Sequence, residues 1–130
     1  AACTVVTCAN MVQTSVDAAE QAGIDAEVID LRTVDPLGMD WETIEESVRK
    51  TNRLIVVEQT ARGISLGARI VQDAQERLFD WLDHEILHVS GTYSSPVVSK
   101  VLETAALAQI GDVIDGLNAV TGRAAQKAAE

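Results

Sequence analysis

The sequence predicts an α/β protein of three layers, α/β/α, with a mostly parallel central sheet covered by helices on both sides. Short apolar runs alternate with longer amphipathic segments, so each strand needs a helical crossover to reach the next. Apolar residues make up 47% of the chain but aromatic residues only 3%. The core must therefore consist of Val, Ile, Leu and Ala, the usual filling of a buried parallel sheet.

The length of 130 residues suits a single domain. We expect the folded domain to cover residues 1–122, followed over 123–130 by a frayed tail that is rich in Ala and otherwise polar. The sequence starts almost directly at a strand, which indicates a domain of a longer protein.

Four short apolar runs are the predicted strands. The run from Leu54 to Val57 has no polar residue on either face, which is typical of a strand at the centre of a parallel sheet. The predicted strands cover residues 4–7, 26–31, 53–58 and 85–90. Between the second strand and the next helix, Pro36 keeps Asp35 out of the helical region, so residues 32–38 are expected to form a turn.

The helices have recognisable starts. Asn10, Asp40 and Ser65 are predicted N-caps, and Ser95 followed by Pro96 at the first helical position predicts a fourth start. Gly23 is expected to end the first helix. The apolar stripes are predicted at Val12, Val16 and Ala19; at Trp41, Ile44 and Val48; at Leu66, Ile70, Ala74 and Leu78; at Val97, Val98, Val101, Leu102 and Ala105; and at Ile110, Val113, Ile114, Leu117 and Val120.

The formal net charge of −10 limits the possible partners. Nucleic acid and anionic membrane are disfavoured, because phosphate contacts need clustered Lys and Arg. A basic protein partner would be attracted. No apolar run approaches the roughly 20 residues of a membrane span.

The two cysteines, Cys3 and Cys8, fall on one predicted strand. Five residues of strand separate them by about 16 Å and point them to opposite faces, which excludes a disulfide between them. We interpret both as small buried hydrophobic residues, in keeping with a reducing compartment.

One motif suggests a serine nucleophile. The segment Gly63-Ile64-Ser65-Leu66-Gly67 matches G-x-S-x-G, and Asp80, Asp83, His84 and His88 follow in the order of a hydrolase triad. However, the preceding strand ends near Glu58, whereas a nucleophile elbow springs directly from its strand. A small serine hydrolase using Ser65 therefore remains a remote alternative.

Cofactor and metal motifs are absent or incomplete. The first turn, Cys8-Ala9-Asn10, has no glycine for a dinucleotide fingerprint. His84 and His88 span a predicted loop and strand, where four-residue spacing does not bring two ligands together. Gly111-Asp112 lacks the glycine and the distant Asn pair of a thiamine-diphosphate motif. We therefore predict no catalytic, cofactor-binding or metal residue in this chain.

Several segments in series resemble the beta subunits of thiamine-diphosphate-dependent 2-oxoacid dehydrogenases. Residues 26–37, AEVIDLRTVDPL, resemble the family run AEVIDLRTxxPLD, and residues 43–58, TIEESVRKTNRLIVVE, resemble TIxxSVxKTxRLVVVEE. Shorter segments also match the family in the same order: Thr4-Val5-Val6-Thr7 with Met11-Val12, the helix start at Gly67-Ala68, His88-Val89-Ser90-Gly91, and Leu102-Glu103. The resemblance extends over roughly residues 3 to 120 and includes the pyruvate, branched-chain 2-oxoacid and acetoin enzymes.

This resemblance implies a transketolase-like C-terminal domain that is inactive by itself. It implies that the full enzyme is an oxidoreductase that acts on an oxo group and passes electrons to a disulfide. In that enzyme, thiamine diphosphate and magnesium are expected to be held by the amino-terminal domain and the alpha subunit. The domain is expected to support alpha2-beta2 assembly, contacting the alpha subunit and a second beta subunit. It is also expected to bind the basic subunit-binding domain of the acyltransferase.

Three further expectations accompany the resemblance. The alternative family is another thiamine-diphosphate enzyme, transketolase-like or deoxyxylulose-phosphate synthase-like. The expected compartment is the bacterial cytoplasm or, in a eukaryote, the mitochondrial matrix. Apolar surface left open by missing subunits would favour a dimer of the isolated domain.

Two loops depart from the family pattern. After the fourth strand the family usually has Gly-x-Asp-x-Pro, whereas this chain has Gly91-Thr92-Tyr93-Ser94-Ser95-Pro96. After the third strand the family usually has Glu-Glu-Gly, whereas this chain has Glu58-Gln59-Thr60. Such loops lie at the carboxyl ends of the strands, where α/β sheets bind other molecules. The candidate partner-facing residues are Arg32, Asp35, Glu58, Gln59, Thr92 and Tyr93.

Overall fold

A computed structural model of the chain describes residues 1–95 and 97–122. The strands are β1 (Cys3–Thr7), β2 (Ala26–Asp30), β3 (Leu54–Val57) and β4 (Leu87–Val89). The helices are α1 (Met11–Ala22), α2 (Trp41–Thr51), α3 (Leu66–Leu78), α4 (Lys100–Ala106) and α5 (Ile110–Val120), and a 3₁₀ turn, Phe79–Trp81, follows α3. The predicted tail over 123–130 lies outside the described residues.

The strands form one parallel sheet in the order β2-β1-β3-β4. Helices α1 and α5 cover one face, while α2 and α3 cover the other. Every residue of β1 and β3 is buried, so these two strands form the centre of the sheet. The predicted three-layer α/β/α architecture is therefore confirmed.

The alternation of side chains along β1 and β3 divides the core into two halves. Val5 and Ile55 face α1 and α5, where they join Leu117, whereas Val6 and Val56 face α2 and α3. Each such side chain contributes about 1.5–3 kcal/mol by leaving water. Aliphatic side chains fill both halves, as the composition predicts.

A buried polar cluster fixes α2 against β1. The hydroxyl of Thr4 lies 2.7 Å from the hydroxyls of both Ser47 and Thr51, on successive turns of α2. A shift of α2 along the strand would break both hydrogen bonds. The buried hydroxyls would then be left unpaired, which is energetically costly. This cluster therefore specifies the register of helix on sheet.

The predicted helix boundaries at Asn10, Gly23, Asp40 and Ser65 are confirmed, but Asn10 lacks the side-chain bond expected of a cap. Gly23 ends α1 with φ 61°. Asp40 accepts a hydrogen bond from the Thr43 amide at 3.1 Å, and Ser65 accepts one from the Ala68 amide at 3.2 Å. Asn10 precedes α1 but makes no capping bond with its side chain, which instead donates to Gln59 in the next loop.

The predicted start of the fourth helix is also wrong. Helix α4 begins at Lys100, preceded by Ser99, rather than after Ser95. Pro96 itself lies outside the described residues; shortly before it, the Gly91 amide donates to Thr60 and the Thr92 amide donates to Ala106. These tertiary contacts override the local start signal.

Helix α4 does not bury the predicted apolar side. In front of it Val98 is fully exposed, and within it Val101 and Leu102 are 78% and 56% exposed.

Within the described part of the chain, no helix is both long and apolar enough to cross a membrane.

Candidate functional site

The carboxyl edge of the sheet is the place where an α/β fold normally binds a ligand. The chain leaves β1 towards β2 and later returns to β3 on the other side of β1, so the topological switch point lies between β1 and β3. There the Asn10 side-chain amide donates to Gln59 Oε1 at 2.9 Å, which ties the two following loops together. The cavity beneath measures about 10 Å³, roughly the smallest that can hold one water. This cavity is too small for a substrate.

A buried carboxylate organises this edge. Glu58, which directly follows β3, is only 6% exposed. Its Oε1 accepts the hydroxyl of Ser65 at 2.5 Å and lies 2.7 Å from Nε2 of His88, and its Oε2 accepts the Gly67 amide at 2.9 Å. A carboxylate can only accept hydrogen bonds, so Nε2 of His88 carries the proton.

The amino terminus of α3 provides the setting for Glu58. Free amides and the helix dipole make such an end a ready site for an anion. Ser65 caps it, and the Glu58 carboxylate reaches the Gly67 amide directly. A Cβ on Gly67 would lie 2.6 Å from Glu58 and from His88, so only glycine allows this approach. An internal side chain thus occupies the place that an anionic ligand would take.

The surroundings of Glu58 favour its charged form. Burial by itself raises the pKa of Glu58, but the hydrogen bonds from His88, Ser65 and the Gly67 amide together outweigh burial and hold the pKa below its ordinary value. The carboxylate is therefore ionised at neutral pH, and its acceptor capacity serves groups of the same chain.

The structure brings Ser65 and His88 to one site, but not in the geometry of a hydrolase triad. The Ser65 hydroxyl donates to Glu58, and the carboxylate lies between serine and histidine, whereas a triad places the histidine between them. With its proton held by a carboxylate and its oxygen capping α3, Ser65 is a structural residue.

The other metal and redox candidates also do not assemble. Nδ1 of His84 lies 2.9 Å from the carbonyl of Glu85, while His88 faces Glu58. Over residues 1–95 and 97–122, no three His, Cys, Asp or Glu side chains converge on a point that could hold a metal.

The two cysteines are free thiols. Cys3 is fully buried, as predicted, and Cys8 is partly buried. Burial raises the pKa of Cys3 to about 11. Burial, and then the charges of Glu58 and Asp30, raise the pKa of Cys8.

The structure spreads the candidate partner-facing residues along the whole edge. Arg32 and Asp35 are exposed beyond β2, where Arg32 pairs with Asp30 at 2.7 Å and the Asp35 carboxylate accepts the Leu37 amide. Thr92 and Tyr93 are exposed beyond β4, at the opposite end of the edge. Three strand spacings, roughly 14 Å, separate the two groups, so they form two surfaces rather than one.

Glu58 requires a correction, because its buried carboxylate faces the interior and cannot present itself to a partner. Gln59 is half-buried and bonded to Asn10. Sequence reasoning named Glu58, Ser65 and His88 separately but missed their association. The available signal was a Glu at the end of a buried strand, placed shortly before a capping Ser and a Gly.

Two loops next to the Glu58 cluster present apolar side chains to solvent. Backbone bonds link them, from the Arg62 amide to Thr92 at 3.1 Å and from the Gly91 amide to Thr60 at 2.9 Å. On this frame Ile64 is fully exposed and Tyr93 is 80% exposed. The loops are therefore held in place while their largest apolar groups remain uncovered in the isolated chain.

The fold also occurs in a solved protein. The structure resembles "Split gene transketolase, inactive beta4 tetramer" with a TM-score of 0.67 and 22% identity, covering 92% of this chain and 38% of that one. At this identity the similarity concerns the fold alone.

Related sequences carry a more specific name. The pyruvate dehydrogenase E1 component subunit beta of Rickettsia conorii is 44% identical over 120 residues, which cover 90% of this chain and 36% of that protein. The mitochondrial counterpart in Saccharomyces cerevisiae is 38% identical over 121 residues, covering 89% and 32%. The 2-oxoisovalerate dehydrogenase subunit beta of Pseudomonas aeruginosa is 42% identical over 91 residues, covering 70% and 25%.

The chain thus spans about a third or less of the length of these relatives. The family profile "Transketolase, C-terminal domain" matches residues 1–113. The resemblance to 2-oxoacid dehydrogenase beta subunits is thereby confirmed. The chain belongs to the transketolase C-terminal domain family, in the form found in those beta subunits.

Proposed function

We propose that this domain is a non-catalytic assembly and docking module of a 2-oxoacid dehydrogenase beta subunit. The observation that carries the proposal is the contrast between its two kinds of surface. The switch point is closed by Asn10 and Gln59, and the helix end next to it is filled by Glu58. Beside them, the large apolar side chains of Ile64 and Tyr93 are exposed to solvent on loops that backbone hydrogen bonds hold together.

The uncovered side chains suit permanent subunit contacts. Ile64, Tyr93, Val101 and Leu102 are all more than half exposed, although the loops and helix that carry them are ordered by backbone bonds. Exposed apolar side chains mark a protein interface where they lie together on the surface. The proposed partners are the alpha subunit and a second beta subunit, and a dimer of the isolated domain would use the same surface.

Charge supports a further partner. The net charge of −10 favours encounter with a basic domain and acts mainly on the rate and selectivity of docking. The proposed basic partner is the subunit-binding domain of the acyltransferase. In this proposal the protein acts in the bacterial cytoplasm or the mitochondrial matrix, and its relatives include a bacterial and a mitochondrial protein.

The cofactor of the whole enzyme would be held elsewhere. Magnesium and a diphosphate require a set of oxygen ligands, and the described residues offer no converging group of three acidic or His side chains. The amino terminus of α3, which could hold a phosphate, already holds Glu58. These residues do not fit thiamine diphosphate, so we place the cofactor in the amino-terminal domain and the alpha subunit.

The two alternatives have less support. The transketolase-like alternative rests on the shared fold, whereas sequence identities of 38–44% are with beta subunits of 2-oxoacid dehydrogenases. For the serine hydrolase, the Ser65 hydroxyl donates to Glu58 rather than to a histidine. A fluorophosphonate probe is therefore expected to leave Ser65 unlabelled.

Assembly can be tested in the full-length beta subunit co-expressed with its alpha subunit. Changing Val101→Ser and Leu102→Ser together should reduce the alpha2-beta2 species in analytical ultracentrifugation, because both side chains would lose apolar contact area. Phe79→Ser is the control, since Phe79 is similarly exposed, at 66%, but follows the carboxyl end of α3, away from α4 and from the loops after β3 and β4. Unchanged assembly in the Val101 and Leu102 variant would contradict the proposal.

A further inference from the structure

A second cavity lies outside the Glu58 cluster, between α4 and the two loops that follow β3 and β4. Its volume is about 370 Å³, within the range of pockets that hold a side chain or a small ligand. Aliphatic groups form most of its wall, from Ala61, Val97, Ala106 and Leu107. Hydroxyl-bearing residues complete it, and among the described residues Glu103 of α4 is the one ionisable residue of its lining.

Glu103 is available to a cation. Its side chain is 44% exposed, and its ion pair with Lys100 is long, 4.0 Å between Nζ and Oε2. Lys100 itself is 91% exposed, so this contact does not hold the lysine in place. Exposed ion pairs of this kind contribute little to the stability of a protein. The carboxylate can therefore exchange its own lysine for another.

The lining chemistry selects among cations. An aliphatic wall suits a hydrocarbon stem, and a single carboxylate among hydroxyls suits a compact ammonium with three donors. The part of the wall formed by residues 60–107, as far as the structure describes them, contains no aromatic ring on which a guanidinium could stack. Lysine fits this combination better than arginine does.

We infer that this pocket receives a lysine side chain from a partner protein, with Glu103 as the counter-charge. The surface beside it supports such a partner, because Leu102, next to Glu103 on α4, is 56% exposed. A partner that presents a lysine among apolar residues would fill the pocket and cover Leu102 together. The inference rests on the proposed docking function and adds its anchor residue.

The site can be tested on the ¹⁵N-labelled 130-residue chain with two small probes. Nα-acetyl-lysine amide should shift the amide signals of Ala61, Ala106 and Leu107 in NMR spectra, and the shifts should weaken with added salt. Nα-acetyl-norleucine amide, which keeps the stem but lacks the ammonium, should bind about fivefold more weakly. Equal binding of both probes, or shifts elsewhere on the chain, would overturn the inference.

Charge variants locate the effect. Glu103→Gln should weaken binding of the lysine probe about fivefold, whereas Glu76→Gln, the same change at an exposed position on α3, should leave it unchanged. Lys100→Ala removes the competing amine and should strengthen binding. Unchanged affinity in Glu103→Gln would contradict the assignment of the counter-charge.

A titration with the acyltransferase's subunit-binding domain separates this inference from the docking proposal. Binding about fivefold weaker to Glu103→Gln than to the unchanged chain supports both. Equal binding to both chains keeps the docking function and overturns the lysine anchor. If neither chain binds that domain while the lysine probe still depends on Glu103, the pocket stands and the proposed partner is wrong.

Discussion

The carboxylate of Glu58 and Nε2 of His88 lie 2.7 Å apart, although 30 residues separate them in the sequence. Their side chains are only 7% and 11% exposed, so the contact is shielded from water and salt. It joins the end of β3 to β4, and the bond from the Gly67 amide extends it to α3. One side chain thus joins β3, β4 and the start of α3.

Replacing Glu58 by Gln should destabilise the domain by about 2 kcal/mol. The variant keeps the shape but leaves fewer acceptors for the three donors of Ser65, Gly67 and His88. Its amide group also places a donor where acceptors are needed. Urea unfolding followed by circular dichroism would measure the change.

Glu76→Gln is the control for charge removal. Glu76 is exposed on α3, and a change there should stay within about 0.5 kcal/mol. If the Glu58 and Glu76 variants were equally stable, the buried cluster would contribute nothing beyond net charge.

Acid should weaken the fold through Glu58. Its pKa is lower in the folded chain than in the unfolded one, so its stabilising contribution is fully present above the ordinary glutamate pKa of about 4.3. The contribution is lost as the pH falls through the lower, folded pKa. The free energy of unfolding, measured from about pH 7 to pH 3, should therefore decrease more steeply for the unchanged chain than for Glu58→Gln. Parallel curves would contradict this assignment.

The fold could be predicted from sequence because its signals are local and mutually consistent. The uninterrupted apolar run Leu54–Val57 specifies a strand buried on both faces, and the structure places it at the centre of the sheet. Gly23 and Asp40 set helix boundaries through bonds to residues within one turn. Such short-range interactions need no knowledge of the tertiary structure.

The misses arose where distant residues decide the local conformation. Ser95 and Pro96 are a strong helix start in isolation, but α4 begins only at Lys100, after Gly91 and Thr92 have bonded to other segments. Glu58 was predicted to face a partner because it lies in a loop at the carboxyl end of a strand, where α/β sheets bind other molecules. Its partners come from α3 and β4, and no local pattern pairs them in advance.

Cys8 should react slowly with alkylating reagents, and Glu58→Gln should make it react faster. Burial and then the negative charges of Glu58 and Asp30 raise the pKa of Cys8, which reduces the fraction of reactive thiolate. Removing the Glu58 charge lowers that pKa. Mass spectrometry of iodoacetamide-treated protein at about pH 8 would give the rates, with a free thiol of pKa about 8.5 as the reference.

Cys3 provides an internal control in the same experiment. It is fully buried and its pKa is about 11, so it should react only as the domain unfolds. Acceleration of both cysteines in Glu58→Gln would indicate unfolding rather than a local electrostatic effect.

Gly67 and Gly111 should respond to alanine in opposite directions. Both occupy the second position of a helix, Gly67 in α3 and Gly111 in α5. An added Cβ at Gly111 meets nothing within 4 Å, so Gly111→Ala should stabilise the domain by about 0.5–1 kcal/mol through the better helix propensity of alanine.

At Gly67 the same methyl group would lie 2.6 Å from Glu58 and from His88. It would push the carboxylate away from the helix amide, so Gly67→Ala should destabilise by about 1–3 kcal/mol despite the gain in propensity. Urea unfolding of both variants measures the difference in sign. In a Glu58→Ala background the carboxylate that the methyl group displaces is absent, and the cost of Gly67→Ala should shrink. If that cost stayed the same, the close approach of Glu58 to α3 would not be what requires glycine at this position.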